Sequence, residues 1–336
     1  MDKPNVLIMS KEFSDVSREP IEMLVKAGMR VHEPGDISAE SISAERFCEL
    51  IQGIDVLVVT GSFPVSRQVI ESADCLKMIA IRSSGFDGTD LTAARERGIV
   101  VTHNPGANAD SVADTTIGLM LAVLKKIAKL DRLIRHGGWK RERTLDMYGK
   151  ILGIIGLGRI GKRVVKRARG FDMRIIANDI VSYEDFADAH GIEMVSKDEI
   201  MARADIISIH TPLDDSTRAM INAKRLRLMK KTAILINAAR GMIVDEKALY
   251  NALSSGWIAG AGLDVHATEP PQMRALVEME NLVSTCHIAG LSDGATHAMA
   301  MQTVEKIIVC LSGRIPPDVL TPGARLPLEA ALPAPA

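Results

Sequence analysis

The sequence is poor in aromatic residues, and its cysteines are few and scattered. Its 2 Trp, 3 Tyr and 6 Phe make up only 3% of 336 residues, too few for the stacking surface that binds single-stranded nucleic acids. Cys48, Cys75, Cys286 and Cys310 contain no C-x-x-C pair, and none of the 8 histidines stands in H-E-x-x-H spacing. We therefore expect neither a disulfide framework nor a metal site.

An excess of charge of one sign and long apolar runs are also missing. The 41 basic and 42 acidic side chains leave a formal net charge of -1, so no broad field attracts nucleic acid or an anionic membrane. The apolar run from Val6 to Met9 is too short for a signal peptide, and no run reaches the roughly 18 residues of a membrane span. We expect a cytoplasmic protein without nucleic-acid or membrane partners.

Apolar residues are abundant, at 47% of the chain, and they follow an alternating pattern. Residues 5–9 and 78–82 have the composition of strands, and residues 18–27 have helical periodicity. A second series of the same kind begins at Lys150. Two such βαβ series predict an α/β fold with two doubly wound, Rossmann-like domains, in which helices cover both faces of parallel sheets.

A group of helix breakers separates the two series. Residues 103–106 read His-Asn-Pro-Gly, and we interpret Asn104 to Gly106 as a hinge. An amphipathic stretch follows from Asn108, with one stripe of side chains running from Val112 to Leu130. This stripe predicts one long helix.

A glycine-rich motif stands at the start of the second series. Gly156, Gly158 and Gly161 fit G-x-G-x-x-G, follow the apolar run ILGII and open a helical stretch, and Asp179 follows the next strand. Glycines let the backbone approach a pyrophosphate, and the helix N-terminus supplies N–H donors. An acidic residue at this distance accepts hydrogen bonds from the adenosine ribose and repels a 2′-phosphate. The motif therefore predicts NAD as the cofactor.

Three ionisable residues each follow the end of a predicted strand. Arg240 stands in INAARGMIVDE, Glu269 in GLDVHATEPP and His287 in STCHIAG. Each residue also has an ordinary explanation: an ion pair of Arg240 with Asp245, a surface glutamate, and a buried histidine with its hydrogen bonds satisfied. Ligands of open α/β sheets bind at the carboxyl ends of the strands, so the three positions are also candidates for one pocket.

The order and wording of these motifs resemble the D-isomer-specific 2-hydroxyacid dehydrogenase family, which includes phosphoglycerate dehydrogenases and glyoxylate/hydroxypyruvate reductases. The segments SSGFDGTDL, ERGIVVTHNPGANADSVAD and GLMLAV contribute as well, so the resemblance extends from about Val56 to about Pro322. It implies an NAD-dependent enzyme that transfers hydride between the nicotinamide and C2 of a 2-oxo or (R)-2-hydroxy acid, with a small substrate such as glyoxylate or hydroxypyruvate.

The resemblance also implies roles for the three ionisable residues. His287 matches the acid/base, and its ordinary pKa near 6.5 suits that task at neutral pH. Glu269 matches the carboxylate that orients the imidazole, and it should raise the pKa of His287. Arg240 matches the anchor of the substrate carboxylate and carbonyl oxygen, because its planar fork fits both.

Further positions follow from the same resemblance. Substrate contacts are implied for Gly61, Ser83, Ser84, Gly85 and Arg240. Cofactor contacts are implied for the following residues: Gly156, Gly158, Arg159, Ile160, Gly161, Asp179, His210, Thr211, Pro212, Ala238, Asp264 and His287.

Two departures from the family pattern stand near the implied pocket. Cys286 replaces the proline that commonly precedes the histidine, and the segment that commonly reads G-x-G-x-D-N reads Ser83-Ser84-Gly85-Phe86-Asp87-Gly88 here. We interpret Cys286 as a small buried residue rather than a redox site.

The family's domain arrangement implies a substrate-binding domain of residues 1–104 and 290–322, an NAD-binding domain of residues 105–289 and a tail of residues 323–336. A homodimer is implied as well, through the long helix and the following arm with Trp139. Two alternatives stay open. One is a short D-3-phosphoglycerate dehydrogenase, for which Arg67 and Arg82 are the nearest candidate phosphate anchors. The other is a non-catalytic, NAD-sensing corepressor-like protein.

Overall fold

The structure is a computed structural model that describes residues 3–35 and 42–324. Its backbone forms two compact units, one containing the residues up to Asn108 together with those from Leu291 onward, and the other containing Ala109–Gly290. The expected tail, residues 323–336, lies outside the described residues except for its first two.

The first unit is built on a parallel sheet. In its described part five strands occur in the order β2-β1-β3-β4-β5. The strands are β1 (Asn5–Met9), β2 (Arg30–His32), β3 (Val56–Val59), β4 (Met78–Ile81) and β5 (Val100–Thr102). The helices between them are α1 (Glu19–Lys26), α2 (Ala44–Leu50), α3 (Arg67–Ser72) and α4 (Leu91–Glu96).

The central strands of the first sheet are buried on both faces. The residues VLVV of β3 and MIAI of β4 are buried at every position, the pattern of a parallel sheet between two helical layers. Val56 and Val58 share a core with Leu24 of α1, whereas Leu57 and Val59 face the core under α2, α3 and α4.

The second unit has a larger parallel sheet. Its described part contains seven strands in the order β12-β11-β10-β9-β6-β7-β8. The strands are β6 (Ile151–Ile155), β7 (Arg174–Asn178), β8 (Glu193–Met194), β9 (Ile206–Ile209), β10 (Ile234–Asn237), β11 (Gly260–Leu263) and β12 (Leu282–Ser284). Together the two parallel sheets confirm the predicted α/β class.

Helices cover both faces of this sheet as well. They are α5 (Ala109–Leu124), α6 (Ile127–Arg135), α7 (Arg159–Ala168), α8 (Glu184–His190), α9 (Lys197–Arg203), α10 (Ala223–Leu228), α11 (Glu246–Ser254) and α12 (Arg274–Val277), and the chain then enters α13 (Asp293–Leu311) of the first unit. Strand order reverses between β6 and β9, and ligands of doubly wound sheets bind at the carboxyl ends of strands beside such a reversal.

The prediction of one long helix after Asn108 is wrong. Helix α5 ends at Leu124 and α6 begins at Ile127, because Lys126 adopts a left-handed backbone with φ 55° and ψ 33°. Glu142 accepts hydrogen bonds from the Nζ atoms of Lys126 and Lys129, at 2.9 and 3.3 Å, and so ties the break to the following arm. The stripe is no longer buried beyond this point, since Ile127 is 54% exposed.

Within residues 3–35 and 42–324, no helix combines the length and the apolar character needed to cross a membrane.

Candidate active site

The candidate site residues of the second unit follow the ends of neighbouring strands. Gly156 follows β6, His210 follows β9, Ala238 follows β10 and Asp264 follows β11. Because these strands are parallel, their carboxyl ends meet at one edge of the sheet. With the loop after β7, which carries Asp179, and the loop after β12, loops from six parallel strands therefore supply the side chains of this edge.

His287 and Glu269 form a hydrogen-bonded pair at this edge. The Nδ1 atom of His287 lies 2.7 Å from Oε2 of Glu269, and the two side chains are 46% and 40% exposed. The other oxygen of Glu269 accepts a hydrogen bond from the backbone N–H of His266 at 3.1 Å. With Nδ1 engaged, Nε2 is the ring nitrogen that can exchange a proton with a bound molecule.

The carboxylate of Asp264 holds the loop that carries His287. Asp264 is only 1% exposed, and its Oδ1 accepts hydrogen bonds from Thr285 Oγ1 at 2.5 Å and from the Ile288 N–H at 3.0 Å. Its Oδ2 accepts from the Ala289 N–H at 3.0 Å. His287 itself has a left-handed backbone, with φ 57°, a conformation that persists in a residue other than glycine when its surroundings enforce it.

The pair has the electrostatics of an acid/base group. The hydrogen bond that the ring donates to Glu269, and then the charge of Glu269, raise the pKa of His287 against the opposing effects of burial and of Arg240. Burial favours a higher pKa for Glu269, but the hydrogen bond and charge of His287, together with those of His266, outweigh it and lower that pKa. The imidazolium–carboxylate form is thereby favoured, and the raised His287 pKa agrees with the expectation from the sequence.

Arg240 is held by the last residue of β10. Asn237, 1% exposed, donates from Nδ2 to the Arg240 carbonyl oxygen at 2.9 Å and accepts at Oδ1 from the Ala239 N–H at 3.0 Å. The half-buried guanidinium donates from Nη1 to the Ala239 carbonyl oxygen at 2.8 Å. Its charge acts on His287, so the structure brings Arg240, Glu269 and His287 together.

A glycine allows the loops of Arg240 and Glu269 to touch. A Cβ atom on Gly241 would lie 1.9 Å from the carbonyl carbon of His266 and 2.0 Å from its oxygen. No other residue permits such an approach without moving the main chain. The Arg240 loop consequently lies directly on the turn that leads to Glu269.

The glycine-rich loop has the shape that a dinucleotide requires. Gly156 has φ 100°, and a Cβ there would lie 2.7 Å from the main chain of His210; a Cβ on Gly161 would lie 2.2 Å from the Gly156 oxygen. Gly158, the N-cap of α7, faces open space and provides no side-chain acceptor. The first N–H groups of α7, from Arg159 onward, are consequently suited to an anion such as a pyrophosphate.

Asp179 lies beside this loop. Its Oδ2 accepts a hydrogen bond from the Leu157 N–H at 2.6 Å, and its Oδ1 accepts from the Val181 N–H at 2.9 Å. A carboxylate has about four acceptor positions, so Asp179 retains capacity for ribose hydroxyls. Ile160 and Ala238 lie in one small apolar cluster.

Two buried polar atoms next to the glycine-rich loop have no hydrogen-bond partner within the described residues. They are Nδ1 of His210 and Oγ1 of Thr211. Nε2 of His210 lies 2.9 Å from Ser208 Oγ, and burial lowers the pKa of His210 to about 3, so the imidazole is neutral. Pro212 is exposed. Unsatisfied polar atoms beside a glycine cradle fit a bound dinucleotide, whose polar groups would supply the missing partners.

The substrate residues expected in the first unit lie together just after the ends of β3 and β4. Ser83 Oγ accepts a hydrogen bond from the Gly61 N–H at 2.7 Å and donates to the Gly85 carbonyl oxygen at 3.1 Å. A Cβ on Gly61 would lie 2.1 Å from the Gly85 oxygen. Ser84 Oγ donates to the Asn104 carbonyl oxygen at 2.9 Å.

The interpretation of Cys286 as a buried residue is wrong, because its side chain is exposed. The flanking Thr285 and His287 both bind Asp264, the first through Oγ1 and the second through its backbone N–H at 2.8 Å. These bonds hold the residues on both sides of Cys286, whose own side chain is exposed.

Sequence reasoning missed Asn237 and Thr285, which position the loops of Arg240 and His287. The available signal was a polar residue at the end of an otherwise apolar strand, as in ILIN. In the described residues, no group of three or more His, Cys, Asp and Glu side chains is arranged to hold a metal ion.

Comparisons with known proteins agree with this geometry. A family model described as D-isomer specific 2-hydroxyacid dehydrogenase, NAD binding domain, matches residues 117–289. A glyoxylate reductase of Korarchaeum cryptofilum is 40% identical over 279 residues, which are 81% of this chain and 84% of the relative. A D-3-phosphoglycerate dehydrogenase of Methanocaldococcus jannaschii is 41% identical over 86% of this chain but over only 56% of its own length.

Among solved structures, the TT0316 protein from Thermus thermophilus superposes with a TM-score of 0.86 at 35% identity, over 94% of this chain and 99% of that one.

The electrostatics predict a specific effect of Glu269→Gln. The substitution keeps the size of the side chain but removes its charge, so the pKa of His287 should fall to about 6.5 or below. An NMR titration of the imidazole resonances, assigned with His287→Gln, measures this pKa. A His287 pKa unchanged from that of the wild type would show that Glu269 does not set it.

Proposed function

Because this chain belongs to the D-isomer specific 2-hydroxyacid dehydrogenase family, we propose that its candidate site reduces a small 2-oxo acid, such as glyoxylate or hydroxypyruvate, to the (R)-2-hydroxy acid. The chain is an NAD-dependent dehydrogenase that interconverts 2-oxo and 2-hydroxy acids. The observation that carries the proposal is the 2.7 Å pair of His287 and Glu269, with Arg240 acting on the same imidazole.

The three side chains divide the chemistry among them. NAD, when bound, accepts or supplies the hydride. His287 donates a proton from Nε2 to the carbonyl oxygen during reduction and takes it back during oxidation. Glu269 stabilises the imidazolium and fixes the ring through Nδ1. Arg240 binds the substrate carboxylate and orients the carbonyl group, a task for which a planar guanidinium is better suited than a lysine.

The cofactor is assigned to the second unit. The N–H groups at the start of α7 would hold the pyrophosphate, and Asp179 would accept hydrogen bonds from the ribose. The other proposed cofactor contacts are Gly156, Gly158, Arg159, Ile160, Gly161, His210, Thr211, Pro212, Ala238, Asp264 and His287. Residues 105–289 are accordingly proposed as the NAD-binding domain. Residues 1–104 and 290–322 are proposed as the substrate-binding domain, with Gly61 and Ser83–Gly85 as its substrate contacts.

The ion pairs of the first unit favour a small substrate over a phosphorylated one. Arg67 binds Glu96 at 2.6 Å and Glu71 at 3.2 Å, and Arg82 is 2% exposed with Nη2 3.3 Å from Glu12. These two candidate phosphate anchors are thus engaged or buried. The D-3-phosphoglycerate dehydrogenase activity remains the alternative substrate assignment.

A homodimer is proposed from the surface of α6 and the arm that follows it. Trp139 is 83% exposed, and Ile127 and Ile134 of α6 are 54% and 51% exposed. Ile127 and Ile134 lie two turns apart on one face of α6, and exposed apolar side chains that share a face favour an interface. We also place the protein in the cytoplasm, since its four cysteines are free thiols, as is usual in a reducing compartment.

Oxidation of NADH, followed by absorbance, tests the proposed function. Glyoxylate and hydroxypyruvate should support turnover, with a lower kcat/KM for phosphohydroxypyruvate.

His287→Ala should lower kcat by roughly 10²–10⁴-fold at unchanged NADH affinity, whereas the control His190→Ala on α8 should retain activity. NADH binding without turnover of any 2-oxo acid would favour the non-catalytic sensor, and near-normal turnover by His287→Ala would remove that residue from the mechanism.

A second prediction concerns cofactor choice. Replacing Asp179 by Ala removes the charge that repels a 2′-phosphate, and arginine at the neighbouring Ile180, which is 95% exposed, adds a cation that can bind it. The double variant should shift the ratio of kcat/KM from NADH toward NADPH by about tenfold or more, since a hydrogen bond to a charged group contributes about 1.5–3 kcal/mol. A wild type that already prefers NADPH would contradict the role of Asp179.

A further inference from the structure

A second histidine–glutamate pair, His266 and Glu246, adjoins the first, because the His266 N–H binds Glu269. His266 stands two residues after Asp264, and its side chain is 4% exposed. Its Nδ1 lies 3.4 Å from Oε1 of Glu246, within ion-pair distance, and this buried nitrogen has no hydrogen-bond partner in the described part of the chain. The family roles assigned above do not include this pair.

Glu246 is anchored at the start of a helix. It is the first residue of α11, its side chain is 15% exposed, and Asp245 caps the helix by accepting from the Ala248 N–H. The positive end of a helix dipole favours a carboxylate at this position. Oε1 of Glu246 accepts a hydrogen bond from the Ala267 N–H at 2.9 Å, so one oxygen binds the peptide group after His266 and lies within ion-pair distance of the His266 imidazole.

The turn of residues 266–269, which Glu246 binds through the Ala267 N–H, also contains Glu269. The His266 N–H donates to Oε1 of Glu269 at 3.1 Å, and Oε2 of Glu269 binds His287 at 2.7 Å. On its other side, the main chain of His266 lies against Gly241, where there is no room even for a Cβ. The turn is therefore fixed between α11 and the Arg240 loop.

We propose that Glu246 and His266 are positioning residues, which hold the turn of residues 266–269 so that Glu269 stays aligned with His287. The catalytic meaning of this inference rests on the proposed function. A hydrogen bond weakens steeply as its geometry departs from linearity, so a small movement of the turn would reduce the effect of Glu269 on the imidazole.

Few charged groups act on the members of the two pairs. The charged neighbours of His266 are Glu246 and Glu269. Those of Glu269 are His266 and His287. The groups acting on His287 are Glu269, Arg240 and Asp264. Glu269 has the largest effect among these charges on His287, so its displacement should lower the His287 pKa.

The test compares Glu246→Ala with Glu184→Ala. Glu184 is also the first residue of a helix, α8, and is exposed, so its removal controls for the loss of a first-turn acid. An NMR titration of the unliganded protein should show the His287 pKa lowered by roughly half a unit or more in Glu246→Ala and unchanged in Glu184→Ala. His266→Phe should also lower the His287 pKa. Glu246→Gln, which can still accept from the Ala267 N–H, should lower the His287 pKa less than Glu246→Ala does.

Kinetics provide the second measurement. Glu246→Ala should lower kcat several-fold for glyoxylate reduction and move the pH profile to lower pH, while the KM for NADH stays that of the wild type. If Glu246→Ala does not fold, the same titration of Glu246→Gln and His266→Phe decides. Folded variants with the wild-type His287 pKa would overturn the inference. A wild type that turns over no 2-oxo acid would instead refute the proposed function, and the NMR titration would still test the positioning.

Discussion

The site depends on one buried carboxylate, that of Asp264. It is almost completely removed from solvent, and its two oxygens accept three hydrogen bonds from the segment of residues 285–289. A buried charge without partners costs folding free energy, so these three hydrogen bonds are needed to stabilise the carboxylate. They keep His287 in its left-handed backbone and place its ring against Glu269. A buried charge in the sheet edge thereby determines the geometry of an exposed pair.

Charges of opposite sign then set the pKa of His287. Glu269 and Asp264 stabilise its protonated form, while Arg240 and burial destabilise it. A proton donor works best when its pKa is close to the working pH. The same arginine that we assign to the substrate carboxylate therefore limits how far Glu269 can raise the pKa of His287. Once a substrate carboxylate neutralises Arg240, that opposition weakens and the imidazolium is favoured further.

The sequence was most informative where a single local rule applies. Apolar runs such as ILGII predicted buried parallel strands, and the G-x-G-x-x-G spacing predicted a glycine cradle that a Cβ would fill. The break at Lys126 was not predictable, because it depends on Glu142, which is 16 residues away, and helical periodicity continues across it. The path of the segment around Cys286 depends on the distant Asp264, and Glu246 meets His266 only after α11 and β11 have packed into one core.

The pH dependence of kcat/KM for glyoxylate reduction tests the central claim most directly. Reduction requires protonated His287, so kcat/KM should be level at low pH and should fall as pH rises through a pKa above the ordinary value of about 6.5. Oxidation of the 2-hydroxy acid should rise through the same pKa. A rate of reduction that is independent of pH across this range, or that rises through it, would contradict the assignment of His287 as the proton donor.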